Sequence, residues 1–295
     1  MTKNYSTGKS RLPEICGLRI THMTVSSSMR ERFYRAYLEF FETAERKRRW
    51  NMFDDVPWEA LDRTTNSEQK AVCIETFCAE ELYLPDYSAN GIELTRSIFG
   101  AAWFQTCWSY EESKHGLVFR EYLIRSGLRS ETQFAAFEEG IFSKTWRLPF
   151  KTRRQMACYG ALQEVATYVA YKAQKDKAAW EGDKVLKAIF SHVSRDEAAH
   201  AGFYRAVIEL EMAEDRLGTL ADLAYVIAHF KMPGDGLIPD YQDRLRTSGA
   251  GISPRTFMER GVLPTLRTLG TSRAELKNAM HFDPETSVGA SAMPR

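Results

Sequence analysis

The 295-residue sequence has no long apolar run. Nowhere does a stretch approach the ~18 residues that a membrane-spanning helix needs, so no membrane span is expected. Neither sign of charge is in excess. Forty Lys and Arg stand against 39 Asp and Glu, a formal net charge of +1, and no global field draws the chain to nucleic acid. Cysteine is sparse. Cys16, Cys73, Cys78, Cys107 and Cys158 are odd in number and none form a Cys-x-x-Cys. That fits free, buried thiols in a reducing compartment rather than a disulfide framework. The opening residues Met1 to Arg11 are polar and basic and lack the apolar segment of a secretory signal, so a cytoplasmic location is the expectation. No run alternates with strand period, and no short repeat is present.

What remains is helical periodicity. Ser28 is a candidate N-cap for a helix carrying Phe33, Tyr37, Phe40 and Phe41 on one face. A long helix is predicted from about Ser67 towards Pro85, another from about Ala89 to Ser126 with Gly127 as its C-cap, and a shorter one over 131–143. A further long helix covers about Arg153 to Lys175, bends or restarts near Trp180-Glu-Gly-Asp183, and continues to about Ala213. Helices follow near 218–231 and 253–268, separated by the Gly/Pro-rich Met232–Pro239. The fold class expected is all-α, with residues 1–28 an irregular lead, 29–270 one helical-bundle domain and 271–295 a flexible polar tail. Basic runs lie at 46–49 and 151–154 and are candidates for meeting an acidic partner.

Two pairs carry the chemistry: Glu112-Ser-Lys-His115 and Glu197-Ala-Ala-His200. A spacing of three puts a carboxylate and an imidazole on one helix face, a half-site for iron or manganese. Each pair follows core positions, Trp108 and Val193, so both should face inward, where unpartnered Glu and His would cost several kcal/mol. A two-metal bundle also needs one glutamate from each of two other helices. Glu164 stands 33 residues before Glu197. Glu81 stands 31 before Glu112, with Glu80 beside it as the alternative. Each interval suits one antiparallel hairpin, so the chain repeats a half-site twice.

These segments resemble the soluble acyl-ACP desaturases of the ferritin-like di-iron superfamily. Trp103 to Gly116, containing Glu-Glu-Ser-Lys-His, is similar to that family's tryptophan-rich segment ending Glu-Glu-Asn-Arg-His-Gly. Asp196-Glu-Ala-Ala-His200 resembles Asp-Glu-Lys-Arg-His, and Gln163-Glu-Val-Ala-Thr167 resembles Gln-Glu-Arg-Ala-Thr. Glu81-Leu-Tyr-Leu-Pro-Asp-Tyr87 resembles Glu-Glu-Ala-Leu-Pro-Thr-Tyr and selects Glu81 over Glu80. Phe230-Lys-Met-Pro233 resembles Ile-Ser-Met-Pro. The likeness runs from about residue 45 to 270. It departs at Ser113, at Ala198-Ala199 and in a shorter 81–112 interval, changes that spare the candidate ligands.

The resemblance implies a ferritin-like four-helix bundle with additional helices and a di-iron centre. Glu81, Glu112, His115, Glu164, Glu197 and His200 would be ligands, with Glu112 and Glu197 bridging. It implies that Asp196 backs His115, that Trp50 relays electrons with Asp196, and that Thr167 assists proton delivery. The activity implied is O₂-dependent desaturation of an acyl chain on acyl carrier protein, in a homodimer fed by an external donor of ferredoxin type. The chain would lie in a tunnel lined by residues such as Phe104, Met156 and Tyr168. A di-iron hydroxylase or N-oxygenase is the alternative with the same ligands. An iron-storing ferritin-like protein and an inactive scaffold are more remote.

Overall fold

The structure is a computed structural model that describes residues 25–280. Twelve α-helices occur among the described residues, with no strand. Four long ones form the bundle: α2 (Glu68–Leu82), α4 (Phe99–Ser126), α6 (Arg153–Glu181) and α7 (Lys184–Glu214). Three of their starts are fixed by side chains that accept the first free amides: Ser67 from Lys70, Thr152 from Gln155 and Asp183 from Leu186. Gly127 and Gly182 end α4 and α6 in the left-handed region, at φ 77° and 78°, where other residues are strained. The turn at Gly182-Asp183 folds α7 back along α6, and α2 packs on α4. This is the expected all-α bundle with additional helices. No helix among the described residues is long and apolar enough to cross a membrane.

The additional helices pack around this core. Helix α1 (Ser27–Thr43) lies on α4 and α7 and runs into a π-helical turn, Ala44–Arg48. Its cap is Ser26, not Ser28, and Phe41 points outward while Phe33 and Tyr37 are buried. The single helix expected from Ala89 to Ser126 is two: α3 (Leu84–Thr95), with Pro85 in its first turn, and α4. The corner between them has neither Pro nor Gly. Ile98, fully buried in extended conformation, turns the chain, and Arg30 holds the Ser97 carbonyl. Helix α5 (Glu131–Phe142) starts with a capping box at Ser130. Helix α8 is Arg216–Ala228, and α9 (Tyr241–Ser248) forms just beyond the Gly/Pro-rich stretch, where no helix was anticipated. Helices α10 (Pro254–Phe257) and α11 (Leu263–Thr268) are joined by a π turn. Helix α12 (Arg273–Ala279) falls inside the stretch read as tail. Ser272 and Glu275 cap it reciprocally and it packs on α8. Most of the segment read as an irregular lead, Cys16 included, lies outside the described residues, as do residues 281–295.

Aromatic residues seal the bundle on either side of its middle. Phe77, Phe119, Tyr171 and Phe190, one from each bundle helix, contact one another with ring centroids 5.0–6.1 Å apart. Beyond the middle, Phe104 stacks on Phe203 at 3.7 Å and meets Tyr204 edge-on. Tyr204 fits only because residue 160 is glycine: a Cβ there would stand 2.7 Å from its ring.

Candidate metal centre

Between these aromatic layers the six candidate ligands converge. Glu112, His115, Glu164, Glu197 and His200 are at most 4% exposed, and the Glu81 side chain is about a tenth exposed. Two overlapping groups of donor atoms form, each with its atoms within 4.8 Å of one another: Glu81, Glu112, His115 and Glu197, then Glu112, Glu164, Glu197 and His200. Glu112 and Glu197 belong to both. The His115 Nδ1 lies 2.9 Å from Glu112 and 3.4 Å from Glu197. The His200 Nδ1 lies 2.8 Å from Glu112 and 3.6 Å from Glu164.

The donor set fits two divalent cations. Of eight buried side-chain atoms without a hydrogen-bond partner among the described residues, five belong to these ligands: Glu112 Oε1, His115 Nδ1, Glu164 Oε2, Glu197 Oε2 and His200 Nδ1. Buried polar atoms are almost always satisfied, so orphans gathered in two overlapping donor groups suit cations bound there. Electrostatics agree. Burial pushes the Glu81 carboxyl well above its ordinary range, with Glu112 adding to the effect, and burial with Glu197 does the same to Glu164. Burial alone would depress both imidazoles, but Glu112 and Asp196 around His115, and Glu111 and Glu112 around His200, raise them well above the usual histidine value. The cluster is short of positive charge. Four carboxylates with neutral imidazoles match two divalent ions, and carboxylate with imidazole suits iron.

The outer ring of hydrogen bonds fixes the ligands. Tyr171 donates to Glu81 at 2.8 Å and Trp108 to Glu164 at 3.0 Å. The His115 Nε2 meets Asp196 at 3.3 Å, and the His200 Nε2 meets Glu111 at 2.7 Å. Both imidazoles thus turn Nε2 outward to a carboxylate and Nδ1 inward. Each carboxylate comes from the other pair's helix, Asp196 of α7 on His115 of α4 and Glu111 of α4 on His200 of α7. Trp50 donates from its indole to Asp196 at 2.7 Å and stacks on His192 at 4.9 Å. The Lys114 ammonium lies 4.7 Å from the Trp50 ring centre. Trp50, Asp196 and His115 therefore form a continuous hydrogen-bonded path from near the surface to the centre. Thr167 lies on the cavity side, bonding the Gln163 carbonyl at 3.1 Å.

Sequence reasoning missed Glu111, Arg48, Trp108 and Tyr171. For Glu111 a signal existed, since an acidic residue immediately precedes the glutamate in both Glu-x-x-His pairs. Glu80 and Glu81 part company. Glu81 joins the cluster. Glu80 turns away to accept from Tyr241, and burial pushes its carboxyl up to about 7 against that hydrogen bond.

A cavity opens on the centre, walled by Tyr87, Trp108, Trp146, Leu148, Met156 and Tyr159 among others. Met156 lines it as expected. Phe104 does not, being stacked in the core, and Tyr168 borders neither this cavity nor its neighbour. The neighbouring cavity, of about 440 Å³, lies against α8–α10 and shares Glu80 and Thr167 with the first. Within the basic runs Arg46, Lys47 and Lys151 are exposed, but other members are engaged internally. Arg153 pairs with Glu211, and Arg154 with Asp215 and Asp222, each guanidinium at most a fifth exposed. Arg48 is buried. Reversing Arg153 and Arg154 would break internal pairs before it altered any docking surface.

Comparison with known proteins follows the same lines. A family model described as fatty acid desaturase matches residues 51–247. The acyl-(acyl-carrier-protein) desaturase 7 of Oryza sativa subsp. indica, a chloroplastic protein, is 28% identical over 164 residues, covering 53% of this chain and 41% of the relative. The palmitoyl-(acyl-carrier-protein) 4-desaturase of Coriandrum sativum is 28% identical over 171 residues, covering 53% and 43%. The chain thus matches about two fifths of the length of these curated relatives. Among solved structures, a Mycobacterium tuberculosis protein assigned as acyl-ACP desaturase DesA2 aligns with TM-score 0.59 at 18% identity, over 85% of this chain and 99% of that one. The R2-like ligand-binding oxidase of Sulfolobus acidocaldarius aligns with TM-score 0.53 at 14% identity, over 85% and 93%. Those likenesses show the fold, and with a family model matching residues 51–247 the chain belongs to this fatty acid desaturase family.

Proposed function

We propose that this chain is an oxidoreductase that inserts a double bond into an acyl chain carried on acyl carrier protein, using O₂ and two electrons. The observation that carries the reading is the pair of overlapping donor groups sharing Glu112 and Glu197, opening on an apolar-walled cavity. Two irons held by Glu81, Glu112, His115, Glu164, Glu197 and His200 would supply the O₂-activating redox chemistry that removes two hydrogens from a saturated carbon pair. In balance, the saturated chain, O₂, two electrons and two protons give the alkene and two waters. Trp108, Met156 and Tyr159 hold the chain against the centre, and proximity selects the methylene. The aromatic layer of Phe77, Phe119, Tyr171 and Phe190 excludes water from behind. Trp50 passes electrons from a ferredoxin-type donor through Asp196 to His115. Thr167, hydrogen-bonded to Gln163, holds a proton at the cavity wall. The working unit is a homodimer, supported by an exposed apolar stripe on α4.

The test is direct. Purified protein loaded with iron should contain two irons per chain, and with a reductant and stearoyl- or palmitoyl-acyl-carrier-protein it should form a monounsaturated acid. Run under ¹⁸O₂, an unlabelled alkene supports the proposal. A product carrying ¹⁸O would replace it with the hydroxylase or N-oxygenase reading, which the same ligands allow. A chain that binds no iron after anaerobic reconstitution would sink both.

A further inference from the structure

The two carboxylates behind the imidazoles share a single guanidinium. Arg48, at the end of the π turn after α1, is 6% exposed. Its Nη1 donates to Asp196 Oδ1 at 2.6 Å and to Glu111 Oε2 at 2.9 Å, and its Nη2 donates to Glu111 Oε1 at 2.8 Å. The bond to Glu111 is the two-pronged kind a planar guanidinium makes and an ammonium cannot. Phe40 lies under the guanidinium at 5.0 Å, and Arg195 holds the Arg48 carbonyl at 2.8 Å, so the side chain has little freedom. Arg49 adds a second cation to Glu111 alone, and Trp50 adds a neutral donor to Asp196 alone.

We propose that Arg48 is a positioning residue that clasps both half-sites at once, holding Glu111 on His200 and Asp196 on His115 so that the two imidazoles are aimed as a unit. The inference rests on the reading of the six side chains as metal ligands. Helices α4 and α7 each carry one Glu-x-x-His pair, and Arg48 is a cation from outside the bundle that ties the backing carboxylates of both. Without it, two buried carboxylates face each other with one shared cation fewer, and both imidazoles lose their support together. Trp50 and Arg49 each touch one carboxylate, so their loss loosens one half-site.

The experiment is anaerobic equilibrium dialysis against ferrous ion, counting iron per chain at each free concentration. It compares the wild-type chain with Arg48→Met, Arg48→Lys, Trp50→Phe and Arg49→Met. Wild type should fill two sites. Arg48→Met should shift both binding steps to higher free iron, by roughly 10- to 100-fold, the usual loss when a ligand's hydrogen-bond partner is removed. Arg48→Lys, which keeps the charge but not the fork, should fall between. Trp50→Phe and Arg49→Met should each displace one step. A purely structural Arg48 would lower the melting temperature and leave both steps in place, and that result overturns the clasp. So does displacement of one step only. If Arg48→Met does not fold, Arg48→Lys decides by the same criteria. A wild-type chain that binds no iron overturns the metal reading itself, and the clasp falls with it.

Discussion

At the scale of single residues, the centre is organised by what stands behind each ligand. Trp50 illustrates this. Its indole bonds Asp196, its ring lies between His192 and the Lys114 ammonium, and it is almost fully buried. Trp50→Phe keeps the packing and removes the bond. Turnover with a protein reductant is expected to fall by roughly 10-fold or more. Single turnover of chemically pre-reduced enzyme should fall far less, because that experiment bypasses the path. Equal losses in both, at matched iron content, would mean that Trp50 only packs. Tyr171 and Trp108 do the corresponding work for the single glutamates. Tyr171→Phe frees Glu81 from its donor and should weaken metal binding at the site containing Glu81 and His115, read as iron per chain after gel filtration. Unchanged retention would show that the hydrogen bond adds nothing.

At the scale of elements, the α6–α7 turn is held by one carboxylate. Asp183 caps α7 at the Leu186 amide, 2.9 Å away, accepts from Tyr122 of α4 at 2.5 Å and pairs with Lys70 of α2 at 2.9 Å. All four bundle helices therefore meet at this side chain. Asp183→Ala removes a helix cap and strands a buried lysine, so a loss of about 3–5 kcal/mol is expected in denaturant unfolding. A loss under about 1 kcal/mol would show that water or Glu181, 3.2 Å from Lys70, replaces it. Packing of α1 on α4 depends on Gly100 in the same way. A side chain there would run into the main chain of Phe33 and Tyr34, so Gly100→Ala should destabilise by about 1–3 kcal/mol, seen as a lower melting temperature.

At the scale of the whole molecule, α4 presents a face that the described residues do not cover. Trp103, Tyr110 and Leu117 recur every seven residues, each at least half exposed, with Phe99 beside them. A heptad stripe of large apolar side chains suits another helix, and exposed patches of this kind mark interfaces. The homodimer proposed above predicts a sedimenting mass near twice 33.8 kDa. Trp103→Glu with Leu117→Glu should return it to the monomer with helix content intact. A wild-type monomer at micromolar concentration would remove the dimer.

What the sequence determined by itself is local. The spacing of three in Glu112–His115 and Glu197–His200 places both side chains on one face of any helix, wherever that helix goes, and the 31- and 33-residue intervals fit hairpins of bundle length. Ser67 and the glycines at 127 and 182 likewise act within a turn of their own position. The tertiary structure decided what depends on distant partners. Asp196 reaches His115 81 residues away, Glu111 reaches His200 across 89, and Arg48 joins both carboxylates. No local period encodes such contacts. Glu80 and Glu81 are equivalent to a helix wheel near its end, and packing against Tyr241 and Tyr171 separates them. The corner at Ile98 has no breaker residue because burial makes it. Arg153 and Arg154 look like a free basic run until α7 and α8 bring up Glu211, Asp215 and Asp222. Hydrogen-bond geometry within a helix follows from the backbone, whereas contacts between helices follow from side-chain packing over the whole chain, and only the folded bundle fixes that.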